Sequence, residues 1–123
     1  MAAGFHDAVF SGRHNTTVPD RSGASHIPWY LPDLLWGYYT MWAVPGDDES
    51  RDGWKQGFTD SFFVENWHAR VGLCDMENHR FLSEDFTVEE TQFSGGHAII
   101  ANFAAEPREL DGITIEAGGF HIR

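Results

Sequence analysis

The stretch Phe86-Thr87-Val88-Glu89-Glu90-Thr91-Gln92-Phe93-Ser94-Gly95-Gly96-His97-Ala98-Ile99-Ile100-Ala101-Asn102-Phe103 decides the fold. Two strand-like runs, Phe86–Phe93 and His97–Phe103, flank Ser94-Gly95-Gly96, a hairpin signature. Further along, Arg108-Glu109-Leu110 and Ile113-Thr114-Ile115 flank Asp111-Gly112, which predicts a two-residue turn of type I′. Glu116-Ala117-Gly118-Gly119 then leads into Phe120-His121-Ile122. Short strands separated by frequent turns predict an antiparallel β-meander or half-sandwich over about 86–122. Alone, such a sheet leaves Val88, Ile99, Phe103, Ile113 and Ile115 in water, so a further element has to cover it.

That element lies upstream. Trp54, Phe58, Phe62, Trp67 and Val71 recur at four- and five-residue steps, and Phe63 widens the stripe. This spacing predicts an amphipathic helix over about 54–71. Asp52 is its expected N-cap and Gly72 its expected left-handed terminator. Gly57 inside it costs about 1 kcal/mol relative to alanine. The fold class is therefore α+β, mainly β, with the helix packed on one small sheet.

Before the helix the text is different. Residues 11–28 are rich in Ser, Thr, Gly, Asn and Pro and read as loop. Ile27 to Val44 is a run of rings and aliphatics that Pro28 and Pro32 punctuate and Pro45-Gly46-Asp47-Asp48 closes. Periodicity leaves strand and helix both open for Leu34–Trp42, with Pro32-Asp33 a suitable start for a helix over part of it. The expected division is an aromatic, loop-rich segment, 1–45, and a helix-plus-β unit, 46–123. Charge follows the same division: 1–45 hold three acids and two arginines, whereas 46–123 carry nearly all of the net −11.

These numbers exclude several activities. One domain of 123 residues is about half of a ~250-residue (β/α)₈ barrel, so a complete barrel is out of reach. Nineteen acids against eight bases repel a phosphate backbone, so no nucleic-acid partner is expected. The single Cys74 excludes an internal disulfide and a cysteine zinc site, and Asp75 and Glu77 beside it oppose a reactive thiolate. No membrane segment and no signal peptide is apparent, which gives the expectation of a soluble protein of the bacterial cytoplasm.

Few motifs carry chemistry. Seven histidines form no His-x-His or His-x-x-x-His, and Glu65-x-x-His68 is a single copy of a pattern that di-metal bundles use in pairs. Asp48, Ser50 and Asp52 with Gly53 partly match a calcium loop, but position 12 would be Thr59 instead of the bidentate glutamate. No cofactor is expected beyond that partial match. The aromatic segment offers candidate carbohydrate contacts: His26, Trp29, Asp33, Trp36, Tyr38, Tyr39 and Trp42. Rings stack on sugar faces and the polar groups could bond hydroxyls, although the same rings also suit a core or an interface.

Across 72–122 the pattern Gly72-x₃-Met76-x₂-His79-Arg80-Phe81-Leu82-x₂-Asp85-x₂-Val88-x₂-Thr91-x-Phe93, His97-Ala98-Ile99-Ile100-Ala101-Asn102-Phe103, Glu106-Pro107, Leu110-Asp111-Gly112-Ile113-Thr114-Ile115 and Gly118-Gly119-Phe120-His121-Ile122 resembles a known family. It is similar to the C-terminal end of large bacterial (β/α)₈-barrel glycosidases and glycosidase-like proteins. The run from His26 to Trp42 resembles the segment near the last strands of those barrels. The resemblance implies a chain that leaves a barrel by a helix and then forms a β-domain. Where that family has a polar His-Asp pair, this chain has Gly37-Tyr38, and no catalytic acid carries over to any residue here.

Two functional expectations follow. The chain is an accessory β-domain portion of a glycoside-hydrolase-like protein, supporting a carbohydrate-active barrel without catalysing alone. Alternatively, it is a free-standing acidic module that binds carbohydrate or protein. Expected partners are carbohydrate, a barrel domain or partner chain, and, through the aromatic segment, a second copy.

Overall fold

The structure, a computed structural model, describes residues 12–15, 26–28, 30–42, 55–56, 58–59 and 62–123, with 12–15 and 39–42 described through their backbone. In chain order the elements are β1 (Gly12–Asn15), α1 (Leu31–Trp36), β2 (Tyr39–Trp42), α2 (Phe62–Val71), β3 (Met76–Phe81), β4 (Val88–Phe93), β5 (His97–Asn102), β6 (Arg108–Leu110), β7 (Ile113–Ile115) and β8 (Phe120–Ile122). The architecture is α+β and mostly strand, as the sequence predicts.

The 86–103 stretch forms the centre of a four-stranded antiparallel sheet, ordered β3-β4-β5-β8. Gly95 and Gly96 both take φ +82°, so the turn needs the two residues that tolerate it. Asp111 and Gly112 lie at φ 49° and 80°, the two positive values of a type I′ turn, and join β6 to β7.

Strand alternation splits the apolar residues between two faces. Phe93, Ile99 and Ala101 point to one side, where they pack with Leu31, Leu34 and Leu35 of α1 and Val64, Trp67 and Val71 of α2. Val88 and Ile100 point to the other, where Ile115, Leu82, Leu110 and Ile113 join them. This corrects the expectation of a single covering helix. Ile99 lies under helices, whereas Val88 and Ile100 lie under the β6–β7 hairpin, which supplies Ile113 and Ile115 and comes between β5 and β8 in the chain.

The 30s contain both of the structures left open by periodicity. Pro32 sits in the first turn of α1, and Gly37 ends it at φ 66°. Tyr38 N–H donates to the Asp33 carbonyl (2.9 Å) and Gly37 N–H to that of Leu34 (3.3 Å), the paired bonds of a Schellman end. Strand β2 follows and pairs in parallel with β1, Gly12 opposite Tyr39 and Asn15 opposite Trp42.

Helix α2 is continuous over Phe62–Val71, with helical residues also at 55–56 and 58–59, while Asp52 lies outside the described residues. Gly72 is not among the glycines with positive φ. Its constraint is contact: a Cβ there would stand 2.4 Å from Cε1 of His68. The His68 ring occupies that space because its Nδ1 donates to the Gly37 carbonyl (3.2 Å). One turn back, Trp67 Nε1 donates to the Leu34 carbonyl (2.7 Å). Two side chains of α2 thus bond carbonyls at the end of α1, where a helix leaves its last acceptors unmet. Tyr30, Phe63 and Phe120 complete the junction with ring centroids 4.9 to 6.3 Å apart.

The sequence predicts no strand over 76–81, where the structure has β3. Its Met-Glu-Asn-His-Arg-Phe composition is mostly polar, which suits an edge strand with a wet face. Among the described residues no helix is long and apolar enough to cross a membrane.

Candidate functional site

Trp36, in the last turn of α1, lays its ring over His79 of β3, with centroids 4.4 Å apart and planes tilted by 34°. His79 Nδ1 is 3.0 Å from the Thr91 hydroxyl, and Nε2 is 3.2 Å from Glu89 Oε2. Thr91 stands opposite His79 in the β3–β4 register, and alternation brings Glu89 to the same face. Phe81 meets His79 edge-on at 5.7 Å, and Phe86 meets Phe81 at 5.1 Å. The rings run from half-buried Trp36 outward to Phe81 and Phe86, 51% and 66% exposed.

Burial pushes the His79 imidazole down from its ordinary value and the Glu89 carboxyl up. A neutral imidazole satisfies the local bonds. The Thr91 hydroxyl donates to Nδ1, and Nε2–H donates to Glu89. Hydroxyl, imidazole and carboxylate are linked as in a nucleophilic relay, but Thr91 is fully buried and presents no oxygen to a substrate. What the corner offers chemically is a set of apolar rings beside a carboxylate that can accept hydrogen bonds.

The sequence-derived candidates are dispersed. Asp33 is buried in α1 (1% exposed) close to Tyr38, whose phenol is pushed up by burial and then by the Asp33 charge. Trp36 joins the His79 corner. His26 is exposed and its Nε2 donates to the Phe103 carbonyl (2.8 Å), beyond the end of β5. Tyr39 and Trp42 belong to β2, described through its backbone. Trp29, and Asp48, Ser50 and Asp52 of the partial calcium loop, lie outside the described residues. Among the described residues no three His, Cys, Asp or Glu side chains converge as metal ligands. Sequence reasoning misses the corner because it assigns no strand to 76–81, and only that strand sets His79 and Phe81 opposite Thr91 and Glu89. The available signal was that His79-Arg80-Phe81 precedes a turn into an already evident strand.

No family model and no curated protein matches the chain. Among solved structures it is similar to the α-N-acetylgalactosaminidase NagBb of Bifidobacterium bifidum in its GalNAc complex, with TM-score 0.63 and 18% identity, covering 97% of this chain and 17% of that one. A quadruple mutant of the same enzyme gives TM-score 0.55 and 20% identity over 94% of this chain and 16% of the other. At such identity the likeness is one of fold. The chain spans about one sixth of the length of these glycosidase chains.

Proposed function

We propose that this chain is the helix-and-β end of a glycoside-hydrolase-like protein, where it supports a carbohydrate-active barrel and does not catalyse alone. The observation that carries this reading is the parallel pair β1–β2 with α1 between its strands. Parallel strands belong to larger sheets covered on both faces, and a strand–helix–strand unit with parallel strands is what a (β/α)₈ barrel repeats. The fold likeness to glycosidase chains over 97% of this chain agrees with it. In that setting α2 is the exit from the barrel, and Trp36, Tyr38 and the ring faces around His79 stand where the domain meets it.

The test is direct. The purified chain, offered aryl glycosides including the α-N-acetylgalactosaminide, turns over none of them, and the genomic DNA upstream encodes a barrel. Turnover that disappears on replacing a single acid sinks the reading. The free-standing binding module has one observation in its favour, the exposed Phe81 and Phe86 rings beside Glu89. It predicts that the chain alone binds a sugar and that Phe81→Ala weakens that binding.

A further inference from the structure

The face of the sheet turned away from the helices holds a cavity of about 290 Å³. It lies between β3, β5, β8 and the β6–β7 hairpin and is unrelated to the His79 corner. Leu82, Ile100, Leu110, Ile113 and Ile115 make its apolar wall, and Arg80, Arg123 and His121 line the rest, with Asp111 at the hairpin turn. The volume is at the small end of the range for ligand pockets.

The cations are held in place from below. Glu90 is fully buried on β4 and sits opposite Arg80 and Ile100 in the register. Its Oε2 accepts from Arg80 Nε (2.6 Å) and Gln92 Nε2 (3.1 Å), and its Oε1 accepts from Arg123. Burial pushes the Glu90 carboxyl up, but the bonds and charges of Arg123 and Arg80 overcome this and hold it below the ordinary carboxylate value. Each guanidinium uses one nitrogen on Glu90, and both are partly exposed, at 52% and 41%. Five donors per guanidinium leave several N–H groups of each available at the cavity, next to aliphatic surface.

We propose that this cavity is a binding site for a small monocarboxylate with an aliphatic body. Its carboxylate bonds the remaining N–H groups of Arg80 and Arg123, and its chain lies against Leu82, Ile100, Leu110 and Ile113. Glu90 and Asp111 offset the charge of the two arginines, so the carboxylate is held by the guanidinium N–H bonds and the aliphatic wall, and a group carrying more charge costs more to desolvate there. Fork-shaped guanidinium donors suit a planar carboxylate, which receives paired bonds from them.

Amide NMR spectra of the 123-residue chain, titrated with hexanoate, hexanamide, acetate and inorganic phosphate, test the assignment. Hexanoate at millimolar concentration is expected to shift the amides of Ile100, Leu110, Ile113 and His121. Hexanamide, which lacks the charge, should bind about tenfold more weakly or less. Acetate lacks the body and phosphate lacks both the body and the planar carboxylate, so both should leave these resonances in place. Leu110→Trp fills the cavity from the hairpin and should abolish the hexanoate shifts. If that variant does not fold, methyl contacts from bound hexanoate to Ile100 and Ile115 of the unaltered chain decide instead. The proposal is overturned if hexanoate gives no shifts or shifts elsewhere, if hexanamide matches it, or if phosphate or acetate produces the same pattern.

Discussion

The side chain of Asn102, fully buried at the end of β5, faces three carbonyl oxygens and one N–H. Its Nδ2 lies 3.0 Å from each of the Glu106, Ile115 and Glu116 carbonyls, and its Oδ1 accepts from Ala104 N–H at 2.9 Å. Two amide hydrogens shared among three acceptors tie the β6–β7 hairpin to the sheet it covers. Asn102→Asp keeps the size but replaces the donor with a carboxylate aimed at those oxygens. The expected loss is about 3 kcal/mol or more, read as a lower urea midpoint, and larger than for Asn102→Ala, because a charge is added to the unmet carbonyls. This residue also shows where sequence reading stops. Asn102 stands in the Ile99-Ile100-Ala101-Asn102-Phe103 run, whose pattern predicts the strand it ends. Its partners lie at positions 104, 106, 115 and 116, and no spacing rule names them.

The turn from β3 to β4 is built around Asp85. Its Oδ1 accepts from Thr87 N–H (3.2 Å) and the Thr87 hydroxyl (2.7 Å), while Arg108 donates to its Oδ2 (2.7 Å). The Ser83 and Thr87 bonds, and then the Arg108 charge, hold the Asp85 carboxyl down to about 2. The unfolded chain ionises this group near ~3.9, so the folded form takes up the proton less readily. Its contribution is therefore complete above that value and disappears as the pH falls through about 2. Thermal midpoints measured from about pH 5 downward should fall less steeply in Asp85→Asn than in the unaltered chain. A parallel case is the α1–α2 junction. Trp67→Phe keeps most of the packing on Phe93 but removes the N–H bond to Leu34, for an expected loss of about 1 to 2 kcal/mol in chemical unfolding. At this scale the sequence is legible wherever a local rule operates: glycine-bearing turns, β4, β5, and Trp67 and Val71 of α2, whereas Phe62 of the expected stripe is 51% exposed and Val64 is buried in the core instead. It is silent where a neighbour decides. Gly37 ends α1 because the chain must turn into β2, and Gly72 is small because His68 reaches across to Gly37.

In the whole molecule one sheet is covered on both faces, by α1 and α2 on one side and by a hairpin on the other. The central strands β4 and β5 each pair on both edges, with β3 and β8 outside them. Strands β1 and β2 are in a different position. Among the described residues they pair only with each other, and α2 packs against β2. A two-stranded pair has little cooperative support of its own, and parallel pairing is the weaker kind. Composition suggested that the first 45 residues and the remainder differ, and the resemblance suggested why. Leu31, Leu34 and Leu35 nevertheless enter the same core as Phe93 and Ile99, which no charge or aromatic count could reveal. Hydrogen exchange of the chain by itself should therefore separate two levels. Amides of β4 and β5 should exchange only through global unfolding, while those of β1 and β2 open locally at a far smaller free energy. If β1 and β2 are instead protected as strongly as β4 and β5, the parallel pair needs no further strands beside it. The free-standing module then accounts for the chain better than a place at the end of a barrel.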